Sequence, residues 1–187
     1  MAQKTIITIA GSQGSGKSST AKQVAEKLGY QHFSSGDLFR EIAKERDLSI
    51  EAMNLTAEEQ KEIDYEVDER LKSLKNEDGL VIDSRLAFHW IPDSFKVFLA
   101  LDPETAAHRI YSQIKTEGRT SQNAESLEEA KQNAEIRLKS EKKRYWDLYQ
   151  LDPTDPKHFD LVIDTKVNDL GTVVRTVIDK YTTWSKK

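Results

Sequence analysis

The chain has 187 residues, which is the length of a single domain. Lysine and arginine total 28 while aspartate and glutamate total 32, so the net charge of −4 argues against a general nucleic-acid binder. The absence of cysteine excludes disulfides, cysteine–zinc sites and thiol catalysis. No apolar run approaches the ~18 residues of a membrane span, and the apolar run 6–10 is too short for a secretion signal, so we expect a cytoplasmic protein.

Five apolar runs have the length of β-strands. Most of them are continuous rather than alternating, which is typical of strands buried on both faces of a parallel sheet. The second run is the least apolar and is also compatible with a loop. The predicted strands are 6–10, 31–34, 80–82, 97–101 and 161–163.

Segments with helical periodicity lie between these runs. The segment Ser18–Leu28 places its apolar residues on one face, and Gly29 is predicted to end it. The apolar residues of 38–43 indicate a second, short helix. Residues Thr56–Glu59 have the pattern of a capping box and predict the start of a helix that continues to Leu74.

The second half of the chain predicts three more helices. Asp102 and Pro103 have the pattern of an N-cap followed by the first helical residue. Ser126 opens another capping box, which predicts a long charged helix to about Tyr149. Asn168 or Asp169 is predicted to begin the last helix.

Strands that alternate with helices predict an α/β fold with a five-stranded parallel sheet and helices on both faces. In such sheets ligands bind beyond the carboxyl ends of the strands. The stretches that follow the predicted strands are mostly polar or contain glycine, and the first of them carries a phosphate-binding motif. They are 11–18, 34–37, 83–85, 102–103 and 164–166. We therefore expect the functional site at this edge of the sheet.

Residues 11–18 match the whole G-x-x-x-x-G-K-[ST] phosphate-binding loop, or P-loop. The glycines let backbone N–H groups turn toward an anion, and the next helix directs the positive end of its dipole at it. Lys17 would reach the β- and γ-phosphates of ATP, and the hydroxyl of Ser18 would bind Mg²⁺. The predicted nucleotide-binding residues are Gly11, Ser12, Gln13, Gly14, Ser15, Gly16, Lys17, Ser18 and Ser19.

The P-loop alone does not identify the reaction. The sequence argues against a GTPase because it contains no D-x-x-G motif. The segment Thr165–Asn168 approaches the guanine-reading motif [NT]-K-x-D but ends in asparagine where the aspartate belongs.

Arginines follow the second and third predicted strands. Arg40 lies one turn after Asp37, and its planar guanidinium suits an anionic acceptor group such as a phosphate; a surface pair with Asp37 or Glu41 is the alternative. Arg85 would face the same cleft. Asp83 ends the third strand and is predicted to hold Mg²⁺ together with Ser18, or else to cap the next turn.

Further arginines follow in the second half. Arg109 and Arg119 flank a stretch predicted to close over the site as a lid and exclude water. Arg137 and Arg144 lie two turns apart on one face of a helix with Glu141 between them, and a solvated charged face is the alternative. Two facing nucleotides bring roughly six to seven negative charges into one cleft, more than Mg²⁺ and one lysine neutralise, so several arginines are expected there.

These residues resemble the nucleoside monophosphate kinases, and most closely the short cytidylate kinases of archaeal type. The resemblance covers nearly the whole chain, and its more specific parts are the Ser-Gly-Asp…Arg step at 35–40 and the Arg…Arg-Tyr helix at 137–145. It implies a single P-loop domain of the adenylate-kinase-like fold. The core would comprise 1–37, 76–108 and 120–187, with a helical insert for the nucleoside monophosphate at about 38–75 and a short lid at about 109–120.

The resemblance also assigns roles to residues. Ser35, Arg40 and Arg85 would contact CMP. Arg137 and Arg144 would bridge the acceptor and transferred phosphates, and Glu141 would help to read cytosine. The predicted substrate-binding residues are Ser35, Asp37, Arg40, Arg85, Arg137, Glu141 and Arg144; the predicted catalytic residues are Lys17, Arg109, Arg119, Arg137 and Arg144. Ser84 departs from the glycine that is usual in the family.

The expected reaction is transfer of the γ-phosphoryl group of ATP, with Mg²⁺, to CMP or dCMP by a monomer that binds neither nucleic acid nor membrane. The acceptor oxygen is already anionic, so alignment and charge stabilisation suffice without a general base. Two alternatives stay open. One is a kinase for UMP, AMP or a hydroxyl compound such as a sugar or a shikimate-like acid, with Asp37 as general base. The other is a non-catalytic nucleotide-binding module that uses 125–149 as a partner surface.

Overall fold

The computed structural model describes residues 5–117 and 124–186, and within these it leaves out the side chains of Glu51, Glu58 and Glu117. The described chain contains a five-stranded parallel sheet with the strand order β2-β3-β1-β4-β5. The strands are β1 (Ile6–Gly11), β2 (Gln31–Ser34), β3 (Leu80–Asp83), β4 (Phe95–Ala100) and β5 (Leu161–Asp164). All five predicted strands are confirmed.

The weak apolar signal of the second strand has a simple cause. β2 is an edge strand, with Gln31 exposed and His32 and Phe33 half-buried. The central strand β1, in contrast, is buried along its whole length between two neighbours. A strand covered on both faces reads as a continuous apolar run, whereas an edge strand does not need to.

The helices alternate with the strands as predicted. They are α1 (Lys17–Leu28), α2 (Ser35–Glu45), α3 (Ile50–Glu59), α4 (Lys61–Ser73), α5 (Ala87–Trp90), α6 (Pro103–Glu117), α7 (Leu127–Tyr149) and α8 (Leu170–Trp184), with short 3₁₀ turns at Leu74–Asn76 and Pro156–His158. The four-residue helix α5 was not predicted, because one helical turn is too short to show periodicity.

Three predicted helix starts are confirmed by their capping hydrogen bonds. The side chain of Asp102 accepts from the backbone N–H of Thr105 at 2.9 Å, before α6. Ser126 accepts from the N–H of Glu129 at 3.1 Å, before α7, and Asp169 caps α8. Each cap satisfies a backbone donor that has no partner within the helix.

The capping box at Thr56 was wrong. Thr56 lies inside α3, and its hydroxyl donates to the carbonyl of Ala52 at 2.8 Å. Ser49 caps α3 instead, and α4 begins at Lys61, just after Gln60. A capping-box pattern also fits a helix interior, where the hydroxyl bonds back to the carbonyl four residues earlier.

Helices cover both faces of the sheet. On one face α1 and α8 pack against β1, β3 and β4 around Ile9, Val24, Leu99 and Val177. On the other face α4 and α5 pack on Ile6 and Ile82. Helices α2 to α4, which span the segment predicted as the insert (about 38–75), enclose an apolar cluster of their own.

None of the helices within 5–117 and 124–186 combines the length and the apolar character that crossing a membrane requires.

Candidate active site

The predicted P-loop connects β1 to α1, and its tight turns depend on glycines with positive φ angles. Gly11 has φ of +147°, and a Cβ there would lie 2.5 Å from the carbonyl oxygen of Leu99, so no other residue fits. Gly16, just before α1, has φ of +84°, which a glycine adopts without strain. The ammonium of Lys17 donates to the carbonyl of Ser12 at 2.9 Å, across the loop. Residues 11–19 thus form one loop and the first turn of one helix, as predicted.

The surroundings of Lys17 disfavour the charged form of its ammonium group. Burial and, to a smaller extent, the nearby Arg85 lower its pKa from 10.5 to about 8, although Asp83 and Glu141 act in the opposite direction. A cation whose charged form is disfavoured in this way gains from a neighbouring anion. A polyphosphate in the loop would supply it.

Ser18 and Asp83 meet at the mouth of the loop. The Ser18 hydroxyl donates to Asp83 Oδ2 at 2.5 Å, and Asp83 is buried at the end of β3. A hydroxyl and one carboxylate are hard oxygen donors, and Mg²⁺ is commonly held by one or two such groups together with phosphate and water. The residues present therefore fit the predicted Mg²⁺ site.

A polar cleft of about 1,070 Å³, counting the space open to solvent, faces the P-loop. Its walls come from the P-loop, the start of α2, the segment after β3, α4, α6 and α7. The predicted residues that line it are Gln13, Gly14, Lys17, Ser18, Ser35, Arg40, Asp83, Arg85, Arg137, Glu141 and Arg144. The structure therefore brings together arginines from three separate parts of the chain.

Glu141 lies between two of these arginines. Its Oε2 is 2.6 Å from Arg85 Nε and its Oε1 is 3.0 Å from Arg137 Nε, while only 4% of the Glu141 side chain is exposed. Burial acts to raise the pKa of Glu141, but Arg85 and Arg137 outweigh it and hold the pKa below its usual value. Each oxygen of Glu141 thus contacts an arginine, and this carboxylate helps to hold Arg85 and Arg137 at the wall of the cleft.

Arg144 lies deeper in the cleft and joins α7 to the insert. Its Nε is 3.1 Å from Asp64 Oδ2 on α4, and its NH1 donates to the backbone carbonyl of Asn54 at 3.2 Å. Burial raises the pKa of Asp64 to about 6, against the opposing charge of Arg144. This buried pair ties the insert to the core.

The sequence left two interpretations of Arg40 open, an anion-binding residue of the cleft or a partner in a surface ion pair, and the structure shows features of both. It forms an ion pair with Asp37, and it also lines the cleft. Both side chains are exposed, 46% for Arg40 and 62% for Asp37, so the pair is screened by water and easily exchanged for a stronger anion. Asp37 itself is not part of the cleft wall.

Arg109 lies beside the P-loop rather than on the wall of the cleft. Its guanidinium donates to the carbonyl of Thr165 at 2.6 Å and to that of Gly14 at 3.4 Å. Residues 109–117, most of the predicted lid, continue helix α6. Arg119 and the end of the predicted lid lie outside the described residues.

Sequence reasoning missed several residues of the cleft. Asn54, Asp64 and Val67 come from the insert, and Ile110 and Gln113 come from α6. Asp64 follows the buried Ile63 and interrupts an apolar helix face. Charged residues are rarely buried, so this position was the one sequence signal that could have pointed to a functional role for Asp64. Ser84, which is buried, also lines the cleft, and its hydroxyl accepts from the N–H of Leu86 at 3.3 Å.

Several known proteins are similar to this chain in sequence or in fold. Residues 10–128 match a family described as an AAA domain. A cytidylate kinase from Methanopyrus kandleri is 36% identical over 168 residues, which is 86% of this chain and 84% of that protein. A cytidylate kinase from Methanothrix thermoacetophila is 39% identical over 160 residues, covering 86% and 88%. Among solved structures, shikimate kinase from Bacteroides thetaiotaomicron has a TM-score of 0.64 at 13% identity, covering 96% and 98%, which shows a shared fold.

Proposed function

This chain belongs to the cytidylate kinase family, and we propose that it transfers the γ-phosphoryl group of ATP to CMP or dCMP, giving ADP and CDP or dCDP. The observation that carries the proposal is the convergence of Arg40, Arg85 and Arg137 in the cleft that the P-loop lines. Guanidinium groups bind phosphate through paired, charge-assisted hydrogen bonds. A cleft lined by both a P-loop and several arginines therefore suits two phosphate-bearing molecules that meet end to end.

Each group has a defined part in this proposal. Lys17 and the P-loop amides hold the β- and γ-phosphates, and Ser18 and Asp83 hold the Mg²⁺ that offsets charge on the donor. Arg40 and Arg85 bind the acceptor phosphate with Ser35, and Arg137 reaches the phosphoryl group in transfer. Glu141 keeps Arg85 and Arg137 in place. Arg109, which is fixed beside Gly14, serves the donor side.

No general base is assigned. The attacking oxygen of a nucleoside monophosphate is already anionic, so the rate gain comes from alignment and charge stabilisation. Asp37, the base that a hydroxyl acceptor would require, pairs with Arg40 and does not line the cleft. ATP and Mg²⁺ are the expected cofactors. A monomeric state stays an expectation from the family resemblance, and a cytoplasmic location stays a prediction of the sequence.

A kinase for a hydroxyl acceptor is the second candidate, because the fold is shared with a shikimate kinase. A coupled assay of ADP release with CMP, dCMP, UMP, AMP, GMP, cytidine and shikimate separates the two. We expect turnover with CMP and dCMP and none above background with cytidine or shikimate. Preferred turnover of a compound without a phosphate, abolished by Asp37→Asn, would establish the second candidate instead.

Arg40→Ala should raise the KM for CMP by about 10-fold or more, because a hydrogen bond to a charged group is lost. The KM for ATP should stay within about twofold. Arg46→Ala is the matched control, since Arg46 follows the same helix α2, is exposed, and pairs with Glu66 at 2.9 Å away from the cleft wall. Equal effects of Arg40→Ala on both substrates would remove Arg40 from the acceptor site.

ATP binding should be coupled to proton uptake by Lys17. Without ligand the pKa of Lys17 is about 8, and a bound polyphosphate favours the charged form and raises it. ATP affinity should therefore fall as the pH rises from about 7 to 9. Calorimetry at pH 8 in buffers of different ionisation enthalpy should detect the proton uptake in the wild type and not in Lys17→Met. Uptake that persists in the variant would assign the proton to another group.

A further inference from the structure

One carboxylate in the cleft has no evident use in binding phosphate. Asp64 lies on α4 of the insert, lines the cleft, and is only 6% exposed. A carboxylate repels a phosphate group, so a residue of this kind in an acceptor cleft is better placed against an uncharged part of the acceptor.

The ion pairs of Asp64 differ from those of Glu141, the other buried carboxylate on the cleft wall. Glu141 contacts two guanidinium groups, one through each oxygen, at 2.6 and 3.0 Å. Asp64 contacts one arginine, through Oδ2 at 3.1 Å. Like Oε2 of Glu141, this buried oxygen accepts no well-aligned hydrogen bond from the residues that the structure describes. Buried acceptors are nearly always satisfied, so a hydrogen-bond donor from the ligand would complete the site.

The cleft that Asp64 lines also has apolar and aromatic surfaces that suit a flat ring. Phe39 and Val67 from the insert and Tyr145 from α7 line the same cleft as Asp64. Apolar and aromatic walls with one or two polar groups are typical of the part of a pocket that binds a planar heterocycle. The arginines that suit phosphate, Arg40 and Arg85, come from α2 and from the segment after β3, whereas Asp64 comes from α4.

We propose that Asp64 is the residue that selects the base of the acceptor, by accepting a hydrogen bond from the exocyclic amino group of cytosine; this rests on the proposed function. Uracil has a carbonyl oxygen at that position, which a carboxylate repels. Selection of CMP over UMP follows from this one contact.

Arg144 acts in this scheme as a positioning residue. It fixes the carboxylate of Asp64 from α7 and is itself held by the backbone carbonyl of Asn54 at 3.2 Å. Its charge also favours the ionised form of Asp64, which the amino group of cytosine requires as an acceptor. The pair therefore presents a charged acceptor at one place in the cleft.

Asp64→Asn tests the proposal, because the amide has the shape of the carboxylate but lacks its charge and can donate to the uracil oxygen. The ratio of kcat/KM for CMP to that for UMP should fall by at least about 10-fold. The matched control is Asp68→Asn, one turn further along α4. Asp68 is 3% exposed, accepts from Trp90 at 2.8 Å and from Tyr149, and does not line the cleft. Its variant should unfold at a lower temperature and keep the ratio within about twofold.

A second measurement needs no folded variant. The monophosphate of pyrimidin-2-one riboside is CMP without the amino group, and the wild type should use it at least about 10-fold less efficiently than CMP. Where Asp64→Asn folds, this preference should largely disappear. Equal use of CMP and the analogue by the wild type, or an unchanged CMP:UMP ratio in Asp64→Asn, would overturn the proposal. If the wild type shows no turnover of CMP at all, the proposed function fails first, so the two failures are distinguishable.

Discussion

Replacement of Lys17 by methionine should lower kcat by at least about 100-fold. Lys17 is the ammonium that the P-loop directs inward, with its Nζ 2.9 Å from the carbonyl of Ser12, and in the transition state negative charge is spread over the oxygens of the phosphoryl group in transfer. Loss of one preorganised donor to such charge typically reduces the rate by two to three orders of magnitude. Methionine keeps most of the side-chain length and the apolar contacts, so steady-state kinetics with CMP and ATP isolates the charge.

Lys22→Met is the matched control for this variant. Lys22 lies on the same helix α1, but it is exposed and does not line the cleft. Its loss should leave kcat within about twofold of the wild type. A Lys17→Met protein that folds and turns over CMP at a near-normal rate would refute the catalytic role of Lys17.

Replacement of Glu141 by alanine should destabilise the fold by about 3 kcal/mol. Arg85 and Arg137 would remain largely buried, with side chains 19% and 24% exposed, but without the carboxylate that lies between them. Removal of one partner from a buried ion pair leaves an uncompensated charge, which costs more than the pair contributed. Urea unfolding measures the loss. Added CMP should restore more stability to this variant than to the wild type, because its phosphate replaces the missing anion.

Asp147→Ala shows what an ordinary surface pair on the same helix contributes. Asp147 and Lys143 are both exposed and 3.7 Å apart, so the change should alter the free energy of unfolding by less than about 0.5 kcal/mol. If Glu141→Ala were as mild as this control, Glu141 would not organise the arginines.

The sequence predicted the sheet, the P-loop and the gathering of the arginines because each rests on a local pattern. Continuous apolar runs identify buried parallel strands, and the motif 11–18 predicts a glycine-rich loop between a strand and a helix. The arginines follow strand ends or lie on one helix face, and the carboxyl ends of parallel strands share one edge of the sheet. These rules need no knowledge of distant contacts.

The pairing of each arginine could not be predicted, since it depends on contacts between distant segments. Arg85 meets Glu141 from α7, and Arg144 meets Asp64 from the insert. The family resemblance assigned Glu141 to cytosine, and no sequence pattern could show that each of its oxygens lies beside an arginine, or that Asp64, with one arginine contact, lines the same cleft. The boundary between α3 and α4 was missed for a different reason, because a hydroxyl such as that of Thr56 serves a cap and a helix interior equally well.

The chemical form of the product tests the central claim, that the acceptor is a phosphate held by arginines in the cleft that the P-loop lines. Phosphorus NMR of a reaction that contains ATP, Mg²⁺ and CMP distinguishes the two possible bonds. Either reaction releases ADP, so the signal of CMP is the one to follow. We predict that the uncoupled signal of CMP is replaced by a pair of coupled doublets, which is the signature of the P–O–P linkage of CDP, and that Lys17→Met abolishes this replacement. A CMP signal that stays uncoupled while a second uncoupled phosphate ester signal appears, which would place the transferred group on a ribose hydroxyl, would contradict the account.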